Sequence, residues 1–132
     1  MTPDGLIIYP SRHDPAETME RLVAAVTSHG ATVLARINHA AAAAKAGLEL
    51  RPTEVLIFGN AKAGTPLMQS VQTIGIDLPL KALVWKDTSG DTWLSYNDPA
   101  WLAQRHGLAG TETAVGTMTA ALDAVAKAAT AG

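Results

Sequence analysis

Apolar positions in this chain switch between a period of two and a period near 3.6, so strands and helices can be followed from one end to the other. Leu6 to Tyr9, a run of branched and aromatic residues between Gly5 and Pro10, predicts a first strand that is apolar on both faces. Asp14-Pro15-Ala16-Glu17 is a helix start, in which Asp caps, Pro fits the first helical position and Glu17 holds the capping-box position. Met19, Leu22, Val23 and Val26 follow at helical spacing as far as Gly30. From Thr32 to Ile37 the pattern alternates again, with Val33, Ala35 and Ile37 on the more buried side of a second strand. Asn38 then caps a brief alanine helix, Ala40 to Ala46, closed by Gly47. Val55-Leu56-Ile57-Phe58 is continuously apolar and ends at Gly59, which predicts a central strand covered on both sides.

Thr65-Pro66 repeats the cap-then-proline signal and predicts a short helix through about Val71. Leu80 to Lys86 and Asp91 to Tyr96 flank the turn composition Asp87-Thr88-Ser89-Gly90, so they predict a hairpin in which Lys86 faces Asp91. That register puts Ala82, Val84, Trp93 and Ser95 on one face and Leu83, Trp85, Leu94 and Tyr96 on the other. Asp98-Pro99 opens a further short helix ending at Gly107. After Gly110 a last helix carries Val115, Met118, Leu122 and Val125 on one stripe. The order β-α-β-(α)-β-(α)-β-β-(α)-α predicts a single α+β domain over residues 1–132, with a mostly antiparallel sheet.

Composition narrows the class of partner. The chain has 132 residues, 48% of them apolar and 17% charged, and its 12 acidic and 10 basic side chains leave a net charge of -2. It can build a core, and it lacks the charge excess of a disordered tail or a nucleic-acid binder, so nucleic acid is not expected as a partner. No run approaches the roughly 18 apolar residues of a membrane span. The N-terminal segment MTPDGLIIYPSRHD carries an acid where a secretory signal is basic. The expectation is a cytoplasmic protein with no membrane partner. The absence of cysteine removes thiol nucleophiles, disulfides and cysteine-held metals, leaving His, carboxylates, Lys, Arg and hydroxyls for any chemistry.

Gly59-Asn60-Ala61-Lys62-Ala63-Gly64-Thr65 lies between a strand and a helix, the context of a phosphate-binding loop. The nucleotide motif needs Lys directly after its second glycine. Here Thr65-Pro66 follows and Lys62 sits inside the loop, which excludes ATP or GTP hydrolysis. What remains is a helix N-terminus with free N–H groups, and Lys62 as a cation for a small anion; the alternative is a plain turn with Thr65 as a cap. His39 and His106, with Asp77 and Asp98, could move protons or hold a divalent metal. No H-E-x-x-H spacing exists and Arg105 beside His106 repels a cation, so no residue is assigned to a metal. His13 and His29 are given no role. Trp85, Trp93, Tyr96 and Trp101 are expected to pack, because no basic patch accompanies them. There is no G-x-S-x-G nucleophile elbow.

The segments INHAAAAAKAGLELRP, LIFGNAKAGTPLM, IDLPLKALVW and YNDPAWLAQRHGL, in this order, resemble the family called domain of unknown function 302 over about residues 5 to 130. Two positions depart from the family pattern. Asn38 stands where an acidic residue would precede His39, and Ala61 where proline is common. The resemblance implies a two-layer β-α-β4-α fold similar to that of the TATA-binding protein, and it carries over no reaction, cofactor or catalytic residue.

In an antiparallel sheet the end of the third strand, the start of the fourth and the end of the fifth share one pole. That pole is expected to gather Asn60, Lys62 and Thr65 with Asp77, Lys81, Asp98, Arg105 and His106, and His39 if its connection crosses the sheet. The leading expectation is a polar or anionic small molecule bound there, with Lys62, Lys81 and Arg105 as charge partners, the Asn60 to Thr65 loop as backbone donors, and His106 or His39 as proton carrier if there is turnover. The rival is a non-catalytic homodimeric interaction or structural module, and the third reading is divalent-metal binding through His and Asp. A homodimer is expected because two main helices cover one sheet face and leave Trp and Leu side chains on the other.

Overall fold

In the computed structural model, which describes residues 2–132, the chain alternates strands and helices as its apolar pattern requires. The elements are β1 (Leu6–Ser11), α1 (Pro15–Ser28), β2 (Thr32–Asn38), α2 (His39–Lys45), β3 (Thr53–Gly59), α3 (Ala61–Ser70), a 3-10 segment (Gln72–Ile76), β4 (Leu80–Lys86), β5 (Thr92–Asn97), α4 (Pro99–His106) and α5 (Glu112–Thr130). The strands form one five-stranded sheet in the order β1-β5-β4-β3-β2, antiparallel at every join. The fold is therefore α+β with an antiparallel sheet. Pro10 is tolerated because β1 is an edge strand.

The helices α1 and α5 lie together on one face of the sheet. Met19, Leu22 and Val26 of α1 and Leu122, Val125 and Ala129 of α5 meet Leu56, Phe58, Ala82, Val84, Leu94 and Tyr96 in one core. Met19, Leu22, Leu56 and Leu94 are fully buried, and each such side chain contributes about 1.5–3 kcal/mol. A second apolar cluster, Leu67, Ile74, Leu102, Val115 and Met118, joins α3, the 3-10 segment, α4 and α5 at one end of the sheet. Trp101 packs against this second cluster, while Tyr9 stacks on Tyr96 and Trp85 on Trp93, so the aromatic residues pack as expected.

Three local expectations are corrected. Lys86 faces Thr92, not Asp91. The Asp87 N–H instead donates to the Asp91 carbonyl, and the Asp87 carboxylate accepts from the N–H groups of Ser89 and Asp91. The loop is thus one residue longer than its turn composition implied, and a one-residue slip exchanges the faces of the whole partner strand. Ala82, Val84, Leu94 and Tyr96 are the core face, and Leu83, Trp85, Trp93 and Ser95 the opposite one. Second, β3 lies next to the edge strand β2, and only Leu56 and Phe58 of its apolar run are buried. Third, α3 begins at Ala61. Asn60 is its cap, accepting from the Lys62 N–H at 2.9 Å, and Thr65 and Pro66 lie inside the helix. The polar residue immediately after β3 captures the first free N–H, so the helix starts before the Thr65-Pro66 signal is reached.

The other caps fall where the sequence puts them. Asp14 accepts from Glu17, Asn38 from Ala41 and Asp98 from Ala100. Asn60→Ala and Asp98→Ala are each expected to cost about 1 kcal/mol. Thr65→Ala should cost nothing, because an exposed interior helix position favours alanine over threonine. Denaturant midpoints of the three variants check this, and a loss at Thr65 with none at Asn60 would contradict the helix start.

Candidate functional site

The register brings the polar motifs to one end of the sheet. Thr32 pairs with Gly59, Phe58 with Leu80, Ala82 with Tyr96 and Leu6 with Asn97, so the loops bearing Asn60, Asp77 and Asp98 leave the sheet at the same pole. His39 does not join them. Asn38 pairs with Glu54, and α2 begins directly after it, which holds His39 at the far pole. Within the shared pole the predicted residues divide into separate groups.

One group is Asp77, Arg105 and His106. The Arg105 guanidinium donates to both Asp77 oxygens at 3.0 and 2.9 Å, and His106 Nε2 lies 2.5 Å from Asp77 Oδ2. His106 Nδ1 is 2.9 Å from the hydroxyl of Thr73. The His106 and Asp77 side chains are 8% and 13% exposed, so the pair is largely withdrawn from water, whereas Arg105 is half exposed. Both ring nitrogens are thus engaged, and the Arg105 charge is already matched by Asp77. The network ties the 3-10 segment to the last turn of α4. Its residues line neither of the two clefts nearby.

Asn60 and Lys62 line a different feature, a cleft of about 800 Å³ between the start of α3, the C-terminal end of α1 and α5. Its walls are mostly apolar, with Phe58, Met68, Leu78, Met118 and Leu122 among them. Lys62 brings the only formal charge to this lining, and His29 the only other titratable group. No carboxylate among the described residues lies within ion-pair reach of Lys62. Thr65 is exposed on α3 outside the lining. Lys81 sits opposite Ile57, on the sheet face that carries Leu83 and Trp85, and so is also outside it.

Asp98 lines a second cleft, of about 690 Å³, between β1, β5, α4 and α5. Tyr9 and Tyr96 are diagonal neighbours on the core face of the β1–β5 pair, their rings 6.0 Å apart. The Tyr9 hydroxyl donates to Asp123 Oδ1 and lies 3.4 Å from the Tyr96 hydroxyl. Burial and then the bond to Asp123 push the Tyr9 phenol far above its ordinary range. Burial likewise raises Tyr96. The Tyr9 hydrogen bond, and after it Lys127, hold the Asp123 carboxyl below its usual value. Sequence reasoning missed Tyr9, Asp123 and Glu112. The available signal was that Tyr9 and Tyr96 both occupy apolar strand positions and that Asp123 interrupts the apolar flank of α5 beside Leu122.

The model of a domain of unknown function, DUF302, matches residues 7–126. The chain belongs to the DUF302 family. The crystal structure of an uncharacterized conserved DUF302 protein from Bacillus stearothermophilus superposes with a TM-score of 0.86, covering 96% of this chain and 99% of that one. At 19% identity it shows the shared DUF302 fold alone. Two curated relatives are fluoride-specific ion channel FluC 1 of Brucella suis biovar 1 (strain 1330) and FluC 2 of Brucella melitensis biotype 1 (strain ATCC 23456 / CCUG 17765 / NCTC 10094 / 16M). Each is 57% identical over 104 residues, which are 79% of this DUF302 chain and 41% and 38% of theirs. The chain thus spans about two fifths of the length of these curated relatives. Among the described residues no helix is long and apolar enough to cross a membrane.

Replacing Tyr9 by Phe removes the leading cause of the low Asp123 value, so the Asp123 carboxyl should titrate closer to its ordinary 3.8 in that variant, as followed by carboxyl-carbon NMR. The sign for stability follows. A depressed folded-state value means that the Tyr9–Asp123 contribution is present above 3.8 and fades as pH falls through the folded value. An unchanged Asp123 titration in Tyr9→Phe would refute the assignment. In the buried network, His106→Ala leaves Asp77 with one partner fewer and should cost about 1–3 kcal/mol in chemical denaturation.

Proposed function

We propose that this DUF302 protein is a small-molecule-binding module whose ligand occupies the cleft at the Asn60–Gly64 pole. The observation that carries the reading is a cleft of about 800 Å³ with apolar walls, Lys62 at its mouth and no carboxylate in its lining. Its size lies within the usual span for small-molecule sites, about 300–1,000 Å³. Lys62 lies in the first turn of α3, where the helix carries partial positive charge, so both favour a negative group. The ligand is therefore an anion with an apolar body, its charge at Lys62 and its body along Phe58, Met68, Leu78 and Met118. Arg105 and Lys81 are left out of this reading, one matched by Asp77 and the other on the opposite sheet face.

A second reading concerns partners, and the Brucella relatives favour it. A segment closely similar to this chain forms part of proteins named as fluoride-specific ion channels. This supports a module that works beside such a channel, on the cytoplasmic side, with conduction left to the portion of those relatives that this chain does not match. For self-association, the sheet face opposite α1 and α5 supports a homodimer. It carries Leu83, Trp85 and Trp93, and both indole N–H groups are satisfied internally, by Ser95 and Asp87. A face with apolar rings whose indole donors are already satisfied is suited to a second copy.

Octanoate titrated into the protein should shift the methyl signals of Met68 and Met118 saturably, while octylammonium should not. Lys62→Ala should weaken octanoate several-fold and leave the melting temperature unchanged, because an exposed lysine contributes little to stability. Equal binding of both probes would refute the anion preference. For the partner reading, the tagged protein should co-purify with a co-expressed fluoride channel from detergent, and loss of its gene should lower fluoride tolerance; neither effect would leave the partner reading without support. Sedimentation at micromolar concentration should give twice the chain mass, falling to one chain in Trp93→Lys; a single-chain mass at every concentration would exclude the dimer.

A further inference from the structure

We infer a second binding site, for a small organic cation with a compact apolar body, in the cleft between the β1–β5 pair and the helices α4 and α5. It is separate from the Lys62 cleft, of opposite electrostatic sign, and independent of the reading above.

The cleft measures about 690 Å³, and small residues keep it open. Ala100 and Ala103 of α4 face Gly116 and Ala120 of α5 across it. A Cβ on Gly116 would meet no heavy atom within 4 Å, so this wall of the cleft is open.

The polar groups around this space are all acceptors or hydroxyls. Asp98, Glu112 and Asp123 contribute carboxylates, and no Lys, Arg or His lines the cleft. Asp123 is matched from outside by Lys127, but no basic side chain among the described residues pairs with Asp98 or Glu112. Each of those two carboxylates uses one oxygen on a backbone N–H, Ala100 for Asp98 and Gly110 for Glu112, which leaves the other oxygen available.

An independent observation comes from the floor. Tyr96 is only 6% exposed, yet it lines the cleft, and its hydroxyl's side-chain hydrogen-bond partner is the Tyr9 hydroxyl at 3.4 Å. That is longer than the usual 2.5–3.0 Å of an O–H···O bond. A buried phenol therefore presents unused hydrogen-bonding capacity to the cleft. Tyr9 spends its own proton on Asp123, so its oxygen remains an acceptor for a donor arriving from the cleft. Stacked phenol rings also offer faces that attract a cation. Ammonium or guanidinium groups supply the donors and charge that these acceptors lack, and Ile7 and Val115 give the apolar body its contact.

The test is a titration of benzylammonium into the full chain, read by NMR at the Tyr9 and Tyr96 rings and the Gly116 amide, with benzoate as the probe of equal shape and opposite charge. Saturable shifts with benzylammonium alone are expected. Asp98→Asn keeps the helix cap, since asparagine caps as well as aspartate. Combined with Glu112→Gln it removes two charges and should weaken binding about tenfold, with the melting temperature confirming that the variant folds. Gly116→Leu fills the cleft and should abolish the shifts. Three results would overturn the site: no saturable shift at about 10 mM, a range that covers very weak binding; equal shifts with benzoate; or shifts indifferent to both variants. The Met68 and Met118 methyls report the other cleft, so failure at one site leaves the other readable.

Discussion

The pairing of the first strand with the last is the contact on which the tyrosine cleft depends. β1 and β5 are joined over six register pairs, Leu6↔Asn97 to Ser11↔Thr92. This pairing joins the start of the chain to the strand that leads into α4 and α5. It also sets α4, because the Asp98 N–H donates to the Gly5 carbonyl at 2.7 Å as the chain leaves β5. Gly5 adopts a φ of 77°, and a Cβ there would sit 2.3 Å from Trp101 Cδ2, so only glycine lets the Trp101 ring pack over this turn. At the other end of β1, the Arg12 N–H donates to the Thr130 carbonyl and anchors the end of α5. One edge strand thus orients both α4 and α5, and with them the walls of the tyrosine cleft.

The elements themselves were legible because their punctuation is local. Asp14, Asn38 and Asp98 each cap the helix that the apolar spacing then continues, and the β4–β5 hairpin follows from the short turn-forming connection between those strands. What failed were readings that required a choice between two adequate signals. Both Asn60 and Thr65 can cap a helix, and the chain uses the one reached first. The hairpin composition fits a four-residue turn, yet Asp87 can satisfy two N–H groups with its side chain, and this draws Asp91 into the loop. Hydrogen-bond satisfaction decided both cases, and it is not visible in hydrophobic spacing.

The site was legible to the extent that strand order determines it. Antiparallel pairing alone puts Asp77, Arg105 and His106 at one end, and there they form a single network. Position along a strand is a coarser guide than side-chain direction, however. Lys81 is at the right pole but on the wrong face, and Thr65 is on the right helix but turned to solvent. His39 follows a strand running the other way and so ends at the far pole. Tyr9 and Asp123 lie 114 residues apart and meet only because β1 and α5 share the sheet edge, a juxtaposition that no local pattern announces.

The helix α5 explains how one small α+β layer carries two clefts of opposite sign. Met118 and Leu122 line the cleft of Lys62, while Gly116, Thr119 and Asp123 line the cleft of the tyrosines. Successive residues are turned by about 100° around a helix, so Met118 and Thr119, or Leu122 and Asp123, face different sides, and a single helix can wall two spaces without sharing side chains between them. Electrostatics then keeps the spaces distinct. The lone Lys62 charge and the Asp98–Glu112–Asp123 carboxylates act over short range at physiological salt, where screening takes hold within about 8 Å. Each cleft therefore presents its own sign to an approaching molecule, although the net charge of the chain is only -2. The sign of each cleft is thus set locally, by the residues on that side of α5.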